Sequence, residues 1–278
     1  MRQGLATIVL VCIVASGAHA AAYDDFARGL GAIQRGDVDT AITAFSAAIT
    51  AGDLAPALLP QAYRGRGIAF LAQNRCAEAF VDLDRALELN VGNPDILWRH
   101  AHAAACLNKH DVALADYSRL IEAEPEADAY SGRGRQHWFL ADYAGAESDF
   151  VQAHRLAPKD PYPVLWLELS HLRAGTLDPA AAQRDVATLS STGWPGPLLA
   201  LYAGLSTPEQ VAGAIAATSG MPRVIASVRC EGDFYVAEWW LGQRDSAKAQ
   251  PLLKRAAQDC PGDFVEGPAA RFELEHMP

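Results

Sequence analysis

The stretch from Gly67 to Ala86, GIAFLAQNRCAEAFVDLDRA, decides the fold. It opens on a small residue, with Ala79 twelve positions on, Leu83 four beyond that and Ala86 three further. Steps of four and three place Ala79, Leu83 and Ala86 on one face of a helix. The same spacing recurs as Gly29, Ala41, Phe45, Ala48, then Ala101, Ala113, Tyr117, Leu120, then Gly134, Ala146, Phe150, Ala153. Successive openings are 38, 34 and 33 residues apart. A period near 34 with this internal pattern marks an all-α solenoid of antiparallel helix hairpins. The small residues let paired helices approach closely, and the ring or leucine fills the space between them. Such a fold binds other molecules along an extended face and rarely carries chemistry of its own.

Working outward, repeat one spans Tyr23–Ala51, with Gly36 free to turn left-handed and Asp37 placed to cap the next helix. Repeat two spans Leu59–Asn90, repeat three Pro94–Pro125 and repeat four Ala127–Pro158, with Pro125 and Pro158 where second helices must stop. These four fill 21–158. Residues 159–228 read as degenerate helical repeats. Tyr162–Ala174 is a helix with Leu165, Trp166, Leu169 and Leu172 on its apolar side, and Asp178-Pro179 caps and opens another. Trp194-Pro195-Gly196-Pro197 is a rigid break, and Ser206 with Glu209 has capping-box spacing for a helix over about 207–218. Residues 229–278 return to the repeat register through Ala237, Ala249, Leu253, Ala256 and Pro261, followed by a capping helix over 267–275. Cys230 is expected to open the first helix of that last hairpin. Pro251 should bend the second or delay its start. No strand pattern is long enough to propose a sheet.

The first 20 residues read as a secretory signal peptide: a weakly basic start at Arg2, an apolar run from Leu5 to Val14, and Ala18-x-Ala20 for cleavage. The run is short of the roughly 20 apolar residues a membrane span needs. Cys12 lacks the small residue a lipobox places just before its cysteine. The location expected is periplasmic or secreted. With 33 acidic against 23 basic residues the chain is a poor nucleic-acid binder, although acidity also serves solubility. Cys76, Cys106, Cys230 and Cys260 remain after cleavage, an even number in an exported chain. Three pairings are open. The repeat register favours Cys76–Cys106 and Cys230–Cys260, against four buried thiols; the bridges would act on stability.

The repeat residues quoted above, with Tyr63, Tyr130, Pro125 and Pro158, resemble the tetratricopeptide repeat (TPR) family over 23–158 and again at the end. A closer resemblance, to the bacterial envelope TPR lipoproteins of the new lipoprotein I type, runs through Leu165-Trp166-Leu167, Trp194-Pro195-Gly196, Tyr202-x-Gly204 and Phe234-Tyr235-Val236-Ala237. It continues through Gly242 with Asp245 to Asp263-Phe264-Val265-Glu266. That resemblance implies a homodimeric adaptor holding a processing protease beside cell-wall endopeptidases. The chain departs from it in having no lipobox and in its cysteine pairs.

No sequence motif for an acyl-transfer nucleophile, a zinc protease or a phosphate loop occurs, and no cofactor or metal is implied. Gly65-x-Gly67 and Gly132-x-Gly134 sit on helices, where close packing explains them. His100 and His102 point about 200° apart and cannot share a metal. The TPR resemblance places the first helix of each hairpin on the concave face. The residues expected there are Gln61, Arg64, Ile68 and Leu71, then Asp95, Trp98, His102 and Ala105, then Asp128, Ser131, Arg135 and Trp138. Arg64, Trp98, His102, Arg135 and Trp138 are the candidate partner-binding residues, since Arg and Trp anchor interfaces and Arg takes a carboxylate at two points. The competing reading has Trp98 and Trp138 packed between repeats. The function expected is a non-enzymatic scaffold for a protein or extended peptide in the cell envelope. The degenerate segment 160–228 is its candidate homodimer face. The alternatives are an enzyme on cell-wall glycan, using the six tryptophans on sugar rings but lacking an acid–base pair, and a purely structural piece of a larger complex.

Overall fold

The computed structural model describes residues 20–189, 193–262 and 264–277. The expected leader, apart from Ala20, lies outside the described residues. Among those described there is no strand, and the chain is a TPR-like α-solenoid of antiparallel hairpins. It divides into two compact units that meet in sequence at Leu120 and Ile121.

The first unit holds α1 (20–34) with α2 (Val38–Ala51), α3 (Leu59–Ala72) with α4 (Cys76–Leu89), and α5 (Pro94–Cys106) leading into α6 (His110–Ala123), whose last turn crosses the boundary. The second holds α7 (Ala127–Phe139) with α8 (Tyr143–Leu156), α9 (Tyr162–Ala174), and α10 (Pro179–Ala187). It continues with α11 (Gly196–Tyr202), α12 (Pro208–Ala217), α13 (Pro222–Gly242) with α14 (Ser246–Asp259), and α15 (Glu266–His276).

Each repeat hairpin turns through one left-handed residue two positions before its second helix: Gly36, Asn74, Asn108, Ala141 and Arg244, with φ between 56° and 70°. Glycine and asparagine take that conformation readily, whereas Ala141 and Arg244 are held there against their preference. An aspartate follows in three of the turns. Asp37, Asp142 and Asp245 each accept a hydrogen bond from a first-turn N–H, at 3.2, 3.1 and 3.1 Å.

The repeat spacing read from sequence is a packing distance. A Cβ on Gly67 would lie 2.8 Å from Leu83 Cγ, and one on Gly134 3.0 Å from Phe150 Cε1. Phe45, Leu83 and Phe150 are fully buried. Each sits sixteen residues after its small partner, the separation that brings opposite helices of one hairpin face to face.

Several local expectations are corrected. α9 is enclosed on all sides, with every residue from Pro163 to Ser170 buried, because α7, α8, α10, α11 and α13 all pack on it. α13 runs unbroken across the expected boundary at 228/229, so Cys230 lies inside the helix and does not open it. The Trp194–Pro197 stretch does break the chain, but α11 starts within it, using Pro197 in its first turn where no N–H is needed. The capping box is Thr207 with Gln210, one residue later than expected. α14 starts at Ser246 despite Pro251, its start set by the Asp245 cap and its buried Ala249, Leu253 and Ala256. Finally, α15 does more than cap the end. Phe272 stacks edge-on against Phe139 of α7 at 5.3 Å, and Glu273 meets Arg173 of α9 at 3.1 Å.

Candidate functional site

In the first unit the candidate surface lies on α3 and α5. Asn93 caps α5, its side chain accepting from the Ile96 N–H at 3.2 Å, and Pro94 follows, so Asp95 falls in the first helical turn. There Asp95 sits between two guanidiniums, 2.8 Å from Arg64 Nε on α3 and 3.2 Å from Arg99 Nη2 on its own helix. Asp95 and Arg64 keep 44% and 40% of their side-chain surface exposed. Ion pairs between side chains this exposed are worth about 0–1 kcal/mol. Trp98, one turn along, is half-buried with its ring edge-on to Tyr117 at 5.6 Å. His102, a further turn along, is exposed. Two guanidiniums, an indole and an imidazole therefore follow one another on this face, with Asp95 marking where a carboxylate sits.

In the second unit Arg135 is half-exposed and close enough to Glu266 to favour its charged form. Trp138 does not line an open surface, contrary to expectation. It is 2% exposed, ringed by Phe139, Trp166, Phe234 and Phe272 at centroid distances of 5.3 to 6.5 Å, with Arg173 over its face. The reason is α15, whose Phe272 completes the ring and closes the face that α7 would otherwise present.

Sequence reading missed one periodic feature. Arg66 donates two hydrogen bonds to Asp82, at 2.7 and 2.8 Å, and Arg133 two to Asp149, at 2.8 and 2.7 Å. His100 Nδ1 lies 2.6 Å from Asp116 Oδ2. Each pair joins the two helices of one hairpin across sixteen residues, and each aspartate is at most 5% exposed. The signal was present: Arg66, His100 and Arg133 recur at steps of 34 and 33, as do Asp82, Asp116 and Asp149. The last hairpin reverses the sense, with Asp233 on α13 paired to Arg255 on α14 at 2.9 Å. His100 is thereby a structural partner. No group of three His, Cys, Asp or Glu among the described residues is arranged to hold a metal.

Both cysteine pairs favoured by the repeat register are joined. Cys76–Cys106 has its Cα atoms 6.0 Å apart and Cys230–Cys260 4.8 Å, each closing a separation of 30 residues. One lies in each unit. Between α12, α13 and α14 a groove of about 500 Å³ has Ile215, Ala226, Val236 and Leu252 on its walls, with Asp233 at its rim engaged by Arg255. No helix among the described residues is long and apolar enough to cross a membrane.

These features define a fold class, a TPR-like α-solenoid of antiparallel helix hairpins. No protein-family model matches the chain. It is 31% identical over 127 residues to human "Tetratricopeptide repeat protein 13", covering 44% of this chain and 15% of that protein. It is 28% identical over 170 residues to "Lipoprotein NlpI homolog" of Haemophilus influenzae, covering 59% of this chain and 53% of the relative. The chain thus spans about half of the bacterial relative and a small part of the human one. A tetratricopeptide repeat protein from Parabacteroides merdae superposes with a TM-score of 0.63 at 19% identity, over 92% of this chain and 99% of that one. The apo form of RapI gives 0.64 at 11% identity, over 92% and 76%. At these identities the superpositions speak for the fold.

Proposed function

We propose that the protein is an exported, non-enzymatic adaptor of the cell envelope that binds a protein or extended peptide along α3 and α5. The observation that carries this reading is Asp95 held loosely between Arg64 and Arg99 beside the half-buried Trp98. The arrangement can receive a partner's carboxylate by exchange with Asp95 and seat an apolar side chain against the indole. The face of α3 and α5 is set before binding by the packed hairpins, which limits the ordering cost. Export is supported by the leader-like first 20 residues and by two disulfides, which persist in oxidising compartments. An envelope role is supported by the similarity to the Haemophilus lipoprotein homolog. On this reading the partner is an envelope protease or cell-wall hydrolase, and the chain acts as a homodimer.

The test is capture from envelope extract after mild crosslinking. Arg64→Glu with Arg99→Glu should keep the helical circular-dichroism signal and lose the captured protein. Undiminished capture moves the site elsewhere, and turnover of purified peptidoglycan by the chain alone overturns the non-enzymatic reading.

A further inference from the structure

Four glutamates meet between α13 and α15. Glu231 and Glu238 lie seven residues apart on α13, and Glu266 and Glu273 seven apart on α15, so each helix offers two carboxyls from one face, two turns apart. All four are at most 4% exposed. They form two rungs. In one, Glu238 Oε2 and Glu273 Oε2 lie 3.4 and 3.1 Å from the same nitrogen, Arg173 Nη1 of α9. The second oxygen of each has no hydrogen-bond partner among the described residues. In the other rung, Glu231 accepts from the Tyr162 hydroxyl at 3.0 Å and the Trp194 indole N–H at 2.7 Å, while Glu266 accepts from the Tyr235 hydroxyl at 3.2 Å.

The charges facing these rungs do not balance them. Arg173 serves two carboxyls at once, and its own surroundings include Tyr143 of α8. Arg135 of α7 attracts Glu266 from the half-exposed margin, and His276 attracts Glu273 from the end of α15. The remaining neighbours, Tyr162, Tyr202 and Tyr235, are phenols whose charged forms burial disfavours. Carboxyls buried opposite one another cannot all ionise without an uncompensated charge.

We infer that α15 is a proton-dependent latch, seated while the two carboxyl rungs hold protons and released as they ionise. It packs most extensively on α14, where Arg271 donates to the Ala257 carbonyl at 3.0 Å, and reaches α7, α9 and α13 through Phe272 and its glutamates. The inference stands independently of the partner-binding reading. Release would uncover Trp138 and Phe139, which Phe272 now covers.

The sign follows from which state keeps its protons. Burial raises all four carboxyls above the ordinary glutamate value of 4.5, and burial together with Glu231 pushes Glu266 up to about 7. Below 4.5 the seated and released helices are both protonated and seating is at full strength. Between 4.5 and about 7 the released helix has lost the Glu266 proton that the seated one keeps, and seating weakens by about tenfold per pH unit for each such proton.

Hydrogen exchange of the whole chain, with rates corrected for their intrinsic pH dependence, tests this directly. Between about pH 5.5 and about pH 8, protection over 266–276 should fall at least about tenfold while that of α2 changes by less than about threefold. Glu266→Gln with Glu273→Gln, whose side chains stay neutral, should hold α15 protected at both pH values. Unchanged protection of α15 in the native chain overturns the latch without any variant being needed. So does a loss spread evenly over both units, or an equal loss in the glutamine variant.

Discussion

Arg133 grips Asp149 at two points, Nε to Oδ2 at 2.8 Å and Nη2 to Oδ1 at 2.7 Å, tying α7 to α8 across sixteen residues. The aspartate is 2% exposed, so its side chain is withdrawn from water and set against the guanidinium. Asp149→Ala should therefore lower stability by roughly 2–4 kcal/mol, since it strands a partly buried guanidinium. Arg133→Met with Asp149→Leu should recover most of that loss, because removing both charges removes the desolvation cost. Denaturant unfolding of the two variants checks this. A double variant no more stable than Asp149→Ala would show that the pair contributes by itself.

The small residues divide into those that must be small and those that need not be. Gly134 has Phe150 3.0 Å from where its Cβ would be, so Gly134→Val should cost about 1–3 kcal/mol by overpacking. Gly213 is an exposed residue inside α12 with nothing within 4 Å of such an atom. Gly213→Ala should stabilise by roughly 0.5–1 kcal/mol by removing backbone freedom from the unfolded chain. Thermal unfolding separates the two signs, and equal effects would contradict the packing account of the repeat spacing.

What the sequence disclosed follows the range of the interaction concerned. The pairing of Gly67 with Leu83 and Gly134 with Phe150 is confined to one hairpin, and repetition made it visible. The Arg66–Asp82 and Arg133–Asp149 pairs have the same spacing and period, but charged residues are common enough that their repetition is easily passed over. Trp138 could not be placed from its repeat position, because Phe272, more than a hundred residues later, decides whether it faces water. The helix α11 was hidden because Trp194-Pro195-Gly196-Pro197 signals a break, and a break and a helix start use the same residues. Of the candidate site, the types and faces of Arg64, Trp98 and His102 were legible. The Asp95 bridge to Arg64 and Arg99 was not, since it depends on how α3 and α5 are set against one another.

The two tryptophans offered as anchors should behave oppositely. Trp138→Ala removes the centre of a closed aromatic cluster and should cost roughly 3–5 kcal/mol. Trp98→Ala truncates a half-buried ring and should cost less, about 1–2 kcal/mol, while reducing partner capture. Chemical denaturation measured alongside envelope capture distinguishes them. A stability loss from Trp98→Ala as large as that from Trp138→Ala would return Trp98 to the core.

The most direct test of the binding surface is a photo-crosslinking amino acid placed at His102, exposed one turn from Trp98 on α5, and compared with one at Val81, exposed on α4. In intact envelopes the probe at His102 should give a discrete protein adduct that Val81 does not, and Arg64→Glu should remove it. Identical adducts from both positions, or an adduct at His102 indifferent to Arg64→Glu, would contradict a partner held on α3 and α5.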